Sequence, residues 1–261
     1  MKAVALSDGT TLAVCAPQPR PVLFLHGGAG TAILHWGGPM SRLPSRYDPV
    51  GVDLRGHGAS TGEIVGGLGQ LADDVLGVLR ALPATGGVHV VGFSMGGCSA
   101  LRAALQEPQH FRSLTLLGVH ARLPAGVDAD AKARFRQWAS TDAGRLQGHH
   151  RQARDWTGFL ASLTDLQNDV SDDELRRLEI PVLVVHGDRD EYVPVGCALH
   201  LAEMLPNAQL SVLPGARHLA HQDGPELFDL VLRRFLDGVE GALSRPAMAA
   251  PHEDRSQGDQ P

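Results

Sequence analysis

The clearest candidate for a nucleophile in this 261-residue chain is a serine that stands between two glycines. Ser94 lies in the sequence GFSMGG (92–97), directly after the apolar run Val88–Val91 and before an alanine-rich, helix-like stretch that follows Cys98. Glycines permit a tight turn from strand to helix because they have no Cβ to clash there. Such a turn holds the hydroxyl out at the end of a strand, beside the positive end of a helix dipole. The pattern predicts a nucleophilic role for Ser94, although serines between glycines also occur in ordinary turns.

A serine nucleophile needs a base to take its proton and a carboxylate to hold that base in the correct tautomer. Among the 13 histidines, His218 follows the apolar run 210–213 and the turn 214–217, just past a predicted last strand. In a parallel α/β sheet, ligands bind at the carboxyl ends of the strands. This position favours His218 as the base over the alternative of a solvated histidine in a loop.

Two aspartates could supply the carboxylate, and both follow the predicted strand 181–185. Asp188 comes directly after a glycine and could serve only to form the turn. Asp190 is followed by Tyr192-Val193-Pro194, which would fix the exit of the loop. From these residues alone, either aspartate could be the partner of the base.

These candidate residues all follow predicted strands, and the strands alternate with helical segments along most of the chain. A turn signal at Asp8-Gly9 separates two further short strands near the N-terminus. Strands are predicted at 21–25, 48–52, 88–91, 113–119, 181–185 and 210–213, and helices at 68–82, from 98 onward and at 225–236. The alternation predicts an α/β fold with a doubly wound, mostly parallel sheet.

One internal segment departs from this alternation. Residues 120–179 contain helix-like stretches at 128–140 and 143–163 but no convincing strand, and sixty residues are too many for a plain loop. We therefore expect a helical cap inserted into a core formed by 1–119 and 180–241. Four aromatic residues of the cap could line a substrate pocket, although their helical spacing favours packing against the core: Phe135, Trp138, Trp156 and Phe159.

The composition is ordinary for a globular enzyme, with 43% hydrophobic and 20% charged residues. The formal charge of −6 argues against nucleic-acid binding, which usually requires a basic surface. No run of 18 apolar residues predicts a membrane span, and polar residues at 7–11 interrupt what a signal peptide would need. Three cysteines without paired spacing suit a reducing compartment, so we expect a cytoplasmic monomer or homodimer. The polar segment 242–261 is expected to be a disordered tail.

Five motifs along the chain together resemble those of the α/β-hydrolase superfamily, in its esterase-like branch with a helical cap. The resemblance extends over residues 4–240, and the order serine, aspartate, histidine is the one found in that superfamily. The motifs are LHGGAG (25–30), DLRGHGAS (53–60), GFSMGG (92–97), HGDRDEYVP (186–194) and PGARH (214–218). Each motif is weak alone, but the five in this order are specific.

The resemblance assigns a role to each candidate of the catalytic triad. The nucleophile falls on Ser94 and the base on His218. The acid of the family is the aspartate of a G-x-x-D pattern before Val-Pro, which falls on Asp190 rather than Asp188.

By the same resemblance, the backbone N–H groups of Gly28 and Met95 would form the oxyanion hole. Gly28 follows the end of a predicted strand, where a side chain would crowd the substrate oxygen, and Met95 opens the helix after the nucleophile. His26, Arg55 and His57 are expected to brace neighbouring loops rather than to contact substrate.

The resemblance implies a serine hydrolase that cleaves carboxylic esters of small molecules through an acyl-enzyme. A serine at the nucleophile position disfavours epoxide hydrolases and haloalkane dehalogenases, which use an aspartate there. A carbon–carbon bond hydrolase of the meta-cleavage type, a hydroxynitrile lyase and a non-catalytic ligand-binding homologue remain open alternatives.

No cofactor and no metal are expected. His149-His150 and the pair His218 and His221 lack the H-E-x-x-H spacing of a zinc site, and a metal on His218 would occupy its basic lone pair. Gly27–Gly30 lacks the complete fingerprint of a dinucleotide-binding loop.

Overall fold

An eight-stranded sheet forms the centre of the part of the chain that the structure describes, and its inner strand β3 is a continuous apolar run. The computed structural model describes residues 2–6, 8–14, 20–124, 126–141, 143–150, 155–164 and 166–243. The strands are β1 (Lys2–Ala5), β2 (Thr11–Val14), β3 (Pro21–Leu25), β4 (Asp48–Val52), β5 (Val88–Phe93), β6 (Phe111–Leu117), β7 (Val182–Gly187) and β8 (Ala208–Leu213). The helices are α1 (Ala32–Arg42), α2 (Gly67–Ala81), α3 (Met95–Gln106), α4 (Val127–Thr141), α5 (Ala143–Gln147), α6 (Trp156–Thr164), α7 (Asp172–Arg176), α8 (Val195–Met204), α9 (Ala220–Asp223) and α10 (Pro225–Leu243).

Six neighbouring strands of the sheet run parallel, and the N-terminal hairpin adds two antiparallel strands at one edge. The order across the sheet is β1-β2-β4-β3-β5-β6-β7-β8. Every residue of β3, β5 and β7 is buried, as expected for strands that helices cover on both faces. The predicted doubly wound, mostly parallel α/β fold is therefore confirmed.

The register aligns the carboxyl ends of the central strands at one edge of the sheet. Leu25 at the end of β3 pairs with Gly92 of β5, and Phe93 pairs with Leu117 at the end of β6. Leu117 in turn pairs with Val185 of β7. The loops that follow these strands therefore meet at this edge, where ligands of such sheets bind.

Helices close a hydrophobic core on each face of the sheet. Side chains of α2 and α3 pack on one face, and those of α1 and α10 pack on the other. Trp36 of α1 is fully buried, and its indole Nε1 donates a hydrogen bond to the carbonyl of Leu25 at 2.9 Å. Burial of one such aromatic side chain contributes on the order of 3 kcal/mol to stability. This contact fixes α1 to the end of β3, beside the functional edge.

The connection between β6 and β7 is helical in its described residues, with α4 to α7 and no strand. The helix predicted at 143–163 is instead divided, because α5 ends at Gln147 and α6 begins at Trp156. Gly148 follows α5, and glycine is a poor helix former. His150, three residues after the end of α5, is not helical, and its buried side chain hydrogen-bonds to two loops of the core.

The C-terminal helix is longer than predicted. α10 continues to Leu243 rather than ending at 236, so the first two residues assigned to the tail at 242–261 are helical. The apolar spacing continues past 236, and Val239 is buried against the core. The remainder of the predicted tail, 244–261, lies outside the described residues. Among the helices that the structure describes, none is long and apolar enough to span a bilayer.

Candidate active site

Ser94 occupies the turn between β5 and α3 in a strained backbone conformation. Its φ of 50° and ψ of −119° lie in a region that residues with a side chain rarely adopt. Two hydrogen bonds hold the turn: Ser94 N donates to the carbonyl of Leu117 at 2.8 Å, and Cys98 N donates to the carbonyl of Ser94 at 2.8 Å. The second bond belongs to the first turn of α3, which begins at Met95, the residue expected to open this helix, although the helix-like composition starts only at Cys98.

The glycines of the turn are required by close approach of backbone segments. A Cβ on Gly96 would lie 2.5 Å from the carbonyl oxygen of His26 and 2.7 Å from that of Leu25. A Cβ on Gly92 would lie 2.5 Å from the Cα of Gly97. The first turn of α3 consequently rests directly on the end of β3, and Ser94 is held at the sheet edge.

The structure brings Ser94, His218 and Asp190 together in one hydrogen-bonded chain. His218 Nε2 lies 3.0 Å from Ser94 Oγ, and His218 Nδ1 lies 2.8 Å from Asp190 Oδ2. Because an ionised carboxylate only accepts, Nδ1 carries the proton and Nε2 presents its lone pair to the serine hydroxyl. The imidazole can therefore take a proton from Ser94 while Asp190 keeps it in the required tautomer.

The carboxylate of Asp190 is almost completely buried and well supplied with donors. Its Oδ1 accepts hydrogen bonds from the backbone N–H groups of Tyr192 and Val193, both at 2.9 Å. Burial is the largest influence on its pKa and acts to raise it, but the bonds from His218 and Val193 outweigh burial and hold the pKa below its usual value. The side chain is thus an anion that is fixed in position.

Asp188 has a different task in the same loop. Its Oδ1 accepts a hydrogen bond from the backbone N–H of Gly215 at 2.6 Å, which ties the loop after β7 to the loop after β8. Among the described residues, the carboxylate in contact with the imidazole of His218 is that of Asp190.

The imidazole of His218 packs against Gly118, a residue that the sequence motifs do not identify. Gly118 has a φ of 60°, and a Cβ there would lie 3.0 Å from His218 Cε1 and 3.1 Å from Nδ1. The rings of Phe93 and Tyr192 flank the imidazole at centroid distances of 4.9 and 5.0 Å. The strand predicted at 113–119 includes Gly118, but β6 ends at Leu117, two residues before the predicted end. A glycine directly after a strand is the signal that could have identified this position.

The two predicted oxyanion donors both line the space above the serine. Among the hydrogen bonds of the described residues, none uses the backbone N–H of Gly28 or Met95. His26 holds the start of the loop that carries Gly28: its Nδ1 donates to the carbonyl of Gly27 at 2.8 Å, and its Nε2 accepts from Leu54 N at 2.9 Å. Both amides are therefore available to a ligand.

Arg55 and His57 brace the neighbouring loop after β4. The buried guanidinium of Arg55 binds both carboxylate oxygens of Asp74, at 2.6 and 2.7 Å. The ring of His57 is buried as well, and its Nδ1 donates to the carbonyl of Arg55 at 2.8 Å. Neither residue lines the cavity described below.

A cavity of about 720 Å³ opens above Ser94 and His218. Phe135 and Trp138 line this cavity and also pack against the core. Phe159 packs instead against His57 with ring centroids 4.8 Å apart, and the side chain of Trp156 lies outside the described residues. Apolar lining comes from the helical insertion and the core wall: Leu68, Cys98, Phe135, Trp138, Leu163 and Leu166.

The charged residues that line the cavity are largely paired with one another. Lys132 binds Asp128 at 2.8 Å, Arg217 binds Asp223 at 3.0 Å, and Arg122 binds Asp169 at 2.6 Å. Glu191 accepts a hydrogen bond from the backbone N–H of His218 at 3.2 Å. A ligand in the cavity therefore meets an apolar interior and a rim whose charges are mostly compensated.

The remaining histidine pairs and the thiols have other partners. His221 Nε2 donates to the carbonyl of His35 at 2.9 Å, and His150 bonds to two loops of the core. Within the described ranges, no group of three or more His, Cys, Asp or Glu side chains is placed to hold a metal ion. Burial raises the pKa of the Cys98 thiol to about 11, which leaves it a poor nucleophile. Cys197 is also a buried free thiol, and Cys15 lies outside the described residues.

Comparisons with known proteins identify the family. A family profile with the description alpha/beta hydrolase fold matches residues 20–157. A protein from Agrobacterium fabrum, named carbamate hydrolase RutD, is 30% identical over 245 residues, which cover 83% of this chain and 93% of that protein. A pimeloyl-[acyl-carrier protein] methyl ester esterase from Nitrosomonas europaea is 29% identical over 237 residues, which cover 79% of this chain and 92% of the esterase.

Comparison with solved structures gives a hydrolase as well, in agreement with the proteins related by sequence. The solved structure of a thermophilic esterase from Thermogutta terrifontis superposes with a TM-score of 0.73 at 24% identity, over 92% of this chain and 98% of that one. The family profile spans more than half of the chain, and the relatives span most of it. The chain therefore belongs to the family of hydrolases with the α/β-hydrolase fold.

Proposed function

We propose that this hydrolase cleaves carboxylic esters of small molecules with Ser94 as nucleophile and His218 as base. Asp190 is the carboxylate that orients His218 and stabilises its imidazolium. One observation carries the proposal: a continuous hydrogen-bonded chain leads from the buried Asp190 through His218 to the hydroxyl of Ser94. That hydroxyl lies at the floor of a largely apolar cavity large enough for a small ester.

In the first half of the reaction, Ser94 Oγ attacks the ester carbonyl carbon while His218 Nε2 takes its proton. The negative charge that develops on the carbonyl oxygen is stabilised by the backbone N–H groups of Gly28 and Met95. The positive end of α3 acts in the same direction because Met95 is its first residue. The tetrahedral intermediate then collapses, and His218 returns the proton to the leaving alcohol.

In the second half, water attacks the acyl-enzyme and His218 again serves as base. The acid is released, and Ser94 recovers its proton. Asp190 stabilises the imidazolium that forms in each half without being protonated itself.

The relatives support hydrolysis at a carbonyl carbon. One is named as a methyl ester esterase and another as a carbamate hydrolase, and both cover most of the chain. We propose that the helical segment 120–179 acts as a cap that shapes the substrate pocket over the core, and that the enzyme works in the cytoplasm as a monomer or homodimer.

Replacement of the nucleophile tests the proposal. Ser94→Ala should lower kcat for a short-chain p-nitrophenyl ester by about 10⁴-fold or more, since the base then has no nucleophile to activate. Ser99→Ala is the matched control, because this serine lies in the same helix and donates to the carbonyl of Met95 rather than facing the site. It should retain activity within a few fold.

Activity that persists in Ser94→Ala, with an unchanged melting temperature, would refute the nucleophile assignment. A wild-type protein that binds esters but does not turn them over would instead support the non-catalytic alternative. Turnover of carbon–carbon bonds in preference to esters, measured on the same preparation, would support the meta-cleavage alternative.

A further inference from the structure

His150 is a buried residue of the helical insertion that links two loops of the sheet core. It is 2% exposed and follows α5. Its Nδ1 accepts a hydrogen bond from the backbone N–H of Gly58 at 3.1 Å, and its Nε2 donates to the carbonyl of Ala29 at 3.0 Å. The first loop follows β4, and the second follows β3 and carries Gly28.

The donor and acceptor roles fix the charge of this imidazole. A backbone N–H can only donate, so Nδ1 is unprotonated, and a carbonyl can only accept, so Nε2 carries the proton. His150 is therefore neutral in this arrangement, in line with the burial that lowers its pKa. The rings of His57 and Phe159 lie 5.4 and 5.3 Å from the imidazole by centroid and 4.8 Å from each other, so the three rings pack together as one cluster.

The loop that His150 contacts has one hydrogen bond of its own, from Gly30 N to the carbonyl of Gly27 at 3.2 Å, and it needs further contacts to hold its conformation. Residues 27–30 read Gly-Gly-Ala-Gly, and glycines impose little restriction on the backbone. Ala29 has a φ of 55°, which an alanine adopts only when its surroundings enforce it. Two core histidines fix the start of the loop at Gly27, where His26 binds the carbonyl and His35 Nδ1 accepts from the N–H at 3.1 Å. The carbonyl of Ala29, further along the loop, accepts its hydrogen bond from His150 of the helical insertion.

We propose that His150 is a positioning residue of the oxyanion hole, supplied by the helical insertion to hold the loop 27–30 so that the Gly28 N–H points at the reacting carbonyl. The inference rests on the proposed function, in which that N–H stabilises the oxyanion. It also makes catalytic competence dependent on docking of the insertion, because the same side chain joins the insertion to both core loops.

His150→Phe removes both hydrogen bonds while keeping a planar ring of similar size. We expect kcat for a p-nitrophenyl ester, per active site titrated with a fluorophosphonate, to fall by about 10–100-fold, somewhat less than the loss of a whole oxyanion donor. KM should change by less than about threefold, since the oxyanion exists only in the transition state. Affinity for a trifluoromethyl ketone, which adds Ser94 and carries an oxyanion, should fall by a similar factor, and affinity for the carboxylate product should stay unchanged.

His149→Phe is the matched control because the neighbouring His149 is exposed, and it should behave like the wild type. His150→Gln keeps a side-chain N–H that can reach the carbonyl of Ala29 and should recover part of kcat. If the Phe variant does not fold, His150→Asn replaces it in every measurement, because the shorter amide cannot reach both Gly58 and Ala29.

Unchanged kcat and unchanged trifluoromethyl ketone affinity in these variants would overturn the inference, as would a loss confined to KM. Different results would refute the two proposals. An active Ser94→Ala variant would refute the proposed function. An inactive Ser94→Ala variant together with a fully active His150→Phe variant would refute the positioning role alone.

Discussion

Two aspartates separated by one residue have opposite environments in this hydrolase. Asp190 is buried and binds the imidazole of His218, whereas Asp188 is exposed in its loop and binds the backbone of Gly215. Both carboxylates accept hydrogen bonds, so burial and the identity of the partner distinguish them.

The pair gives a test at the residue scale. Asp190→Asn should lower kcat by about 10³–10⁴-fold, because an amide can donate to Nδ1 and so favours the tautomer in which Nε2 is protonated and cannot act as base. Asp188→Asn keeps an acceptor for the Gly215 N–H and should lower kcat by no more than a few fold. Steady-state kinetics at pH 8, with the melting temperature of each variant, provide the measurement. The reverse order of damage would show that Asp188 is the acid.

Some residues near the candidate site follow local sequence patterns, whereas others are placed there by contacts between distant segments of the chain. Ser94 comes just after an apolar run, and His218 follows another one after a four-residue turn, so their position near strand ends is evident from the sequence. The choice of Asp190 needed the family resemblance, since spacing alone left Asp188 open. The contact of Gly118 with His218, and those of His150 with Gly58 and Ala29, join segments about 90 to 120 residues apart. No local pattern encodes such pairings.

At the scale of elements, the strands and the first helix predicted between β6 and β7 agree closely with the structure, whereas the helix predicted at 143–163 is divided into α5 and α6. A buried parallel strand is a continuous apolar run, so its existence is evident from composition alone. His150 lies in the break between α5 and α6, and its partners Gly58 and Ala29 are distant in the sequence, so this arrangement has no local signal. The start of α3 at Met95 agrees with the expectation from the family resemblance, whereas the helix-like composition begins only at Cys98.

The contact between α3 and β3 gives a test of how these two elements are held. Gly96→Ala would place a methyl 2.5 Å from the carbonyl of His26, so we expect a loss of several kcal/mol in the free energy of unfolding. Activity should fall as well, because the helix that carries Met95 must move. Gly69→Ala in α2 is the control, since a Cβ there meets nothing within 4 Å. It should stabilise the protein by up to about 1 kcal/mol.

Urea unfolding curves and ester turnover of the two glycine variants are compared with those of the wild type. Equal stability of Gly96→Ala and the wild type would mean that α3 does not rest on the end of β3 as described.

At the scale of the whole molecule, buried neutral histidines set the response to acid. Burial lowers the pKa of His26 and His89 to about 4 and that of His221 to about 3, whereas a histidine in an unfolded chain titrates near 6.5. Below pH 6.5 the unfolded state therefore takes up protons that the folded state does not. Each such histidine costs about 1.4 kcal/mol of stability per pH unit until its folded pKa is reached.

We accordingly expect the free energy of unfolding to be nearly constant from pH 8 to 7 and to fall steeply between pH 6 and 4.5. Carboxylates with lowered pKa, such as Asp190, lose their contribution only below about pH 4, so the two effects occupy separate ranges. His89→Gln should reduce the slope by about one proton, because the pKa of that buried imidazole is lowered to about 4. The measurement is the midpoint of urea unfolding at each pH. A midpoint that stays constant down to pH 5 would contradict the expectation.

The positive φ of Ser94 means that the reactive side chain and the stability of the fold make opposite demands on this position. A non-glycine residue in such a conformation costs of order 1–3 kcal/mol, which the surrounding bonds and packing must offset. Glycine would relax that conformation, so the fold would be more durable without the side chain that reacts. A serine at this position therefore lowers the stability of the fold while it supplies the hydroxyl of the candidate nucleophile.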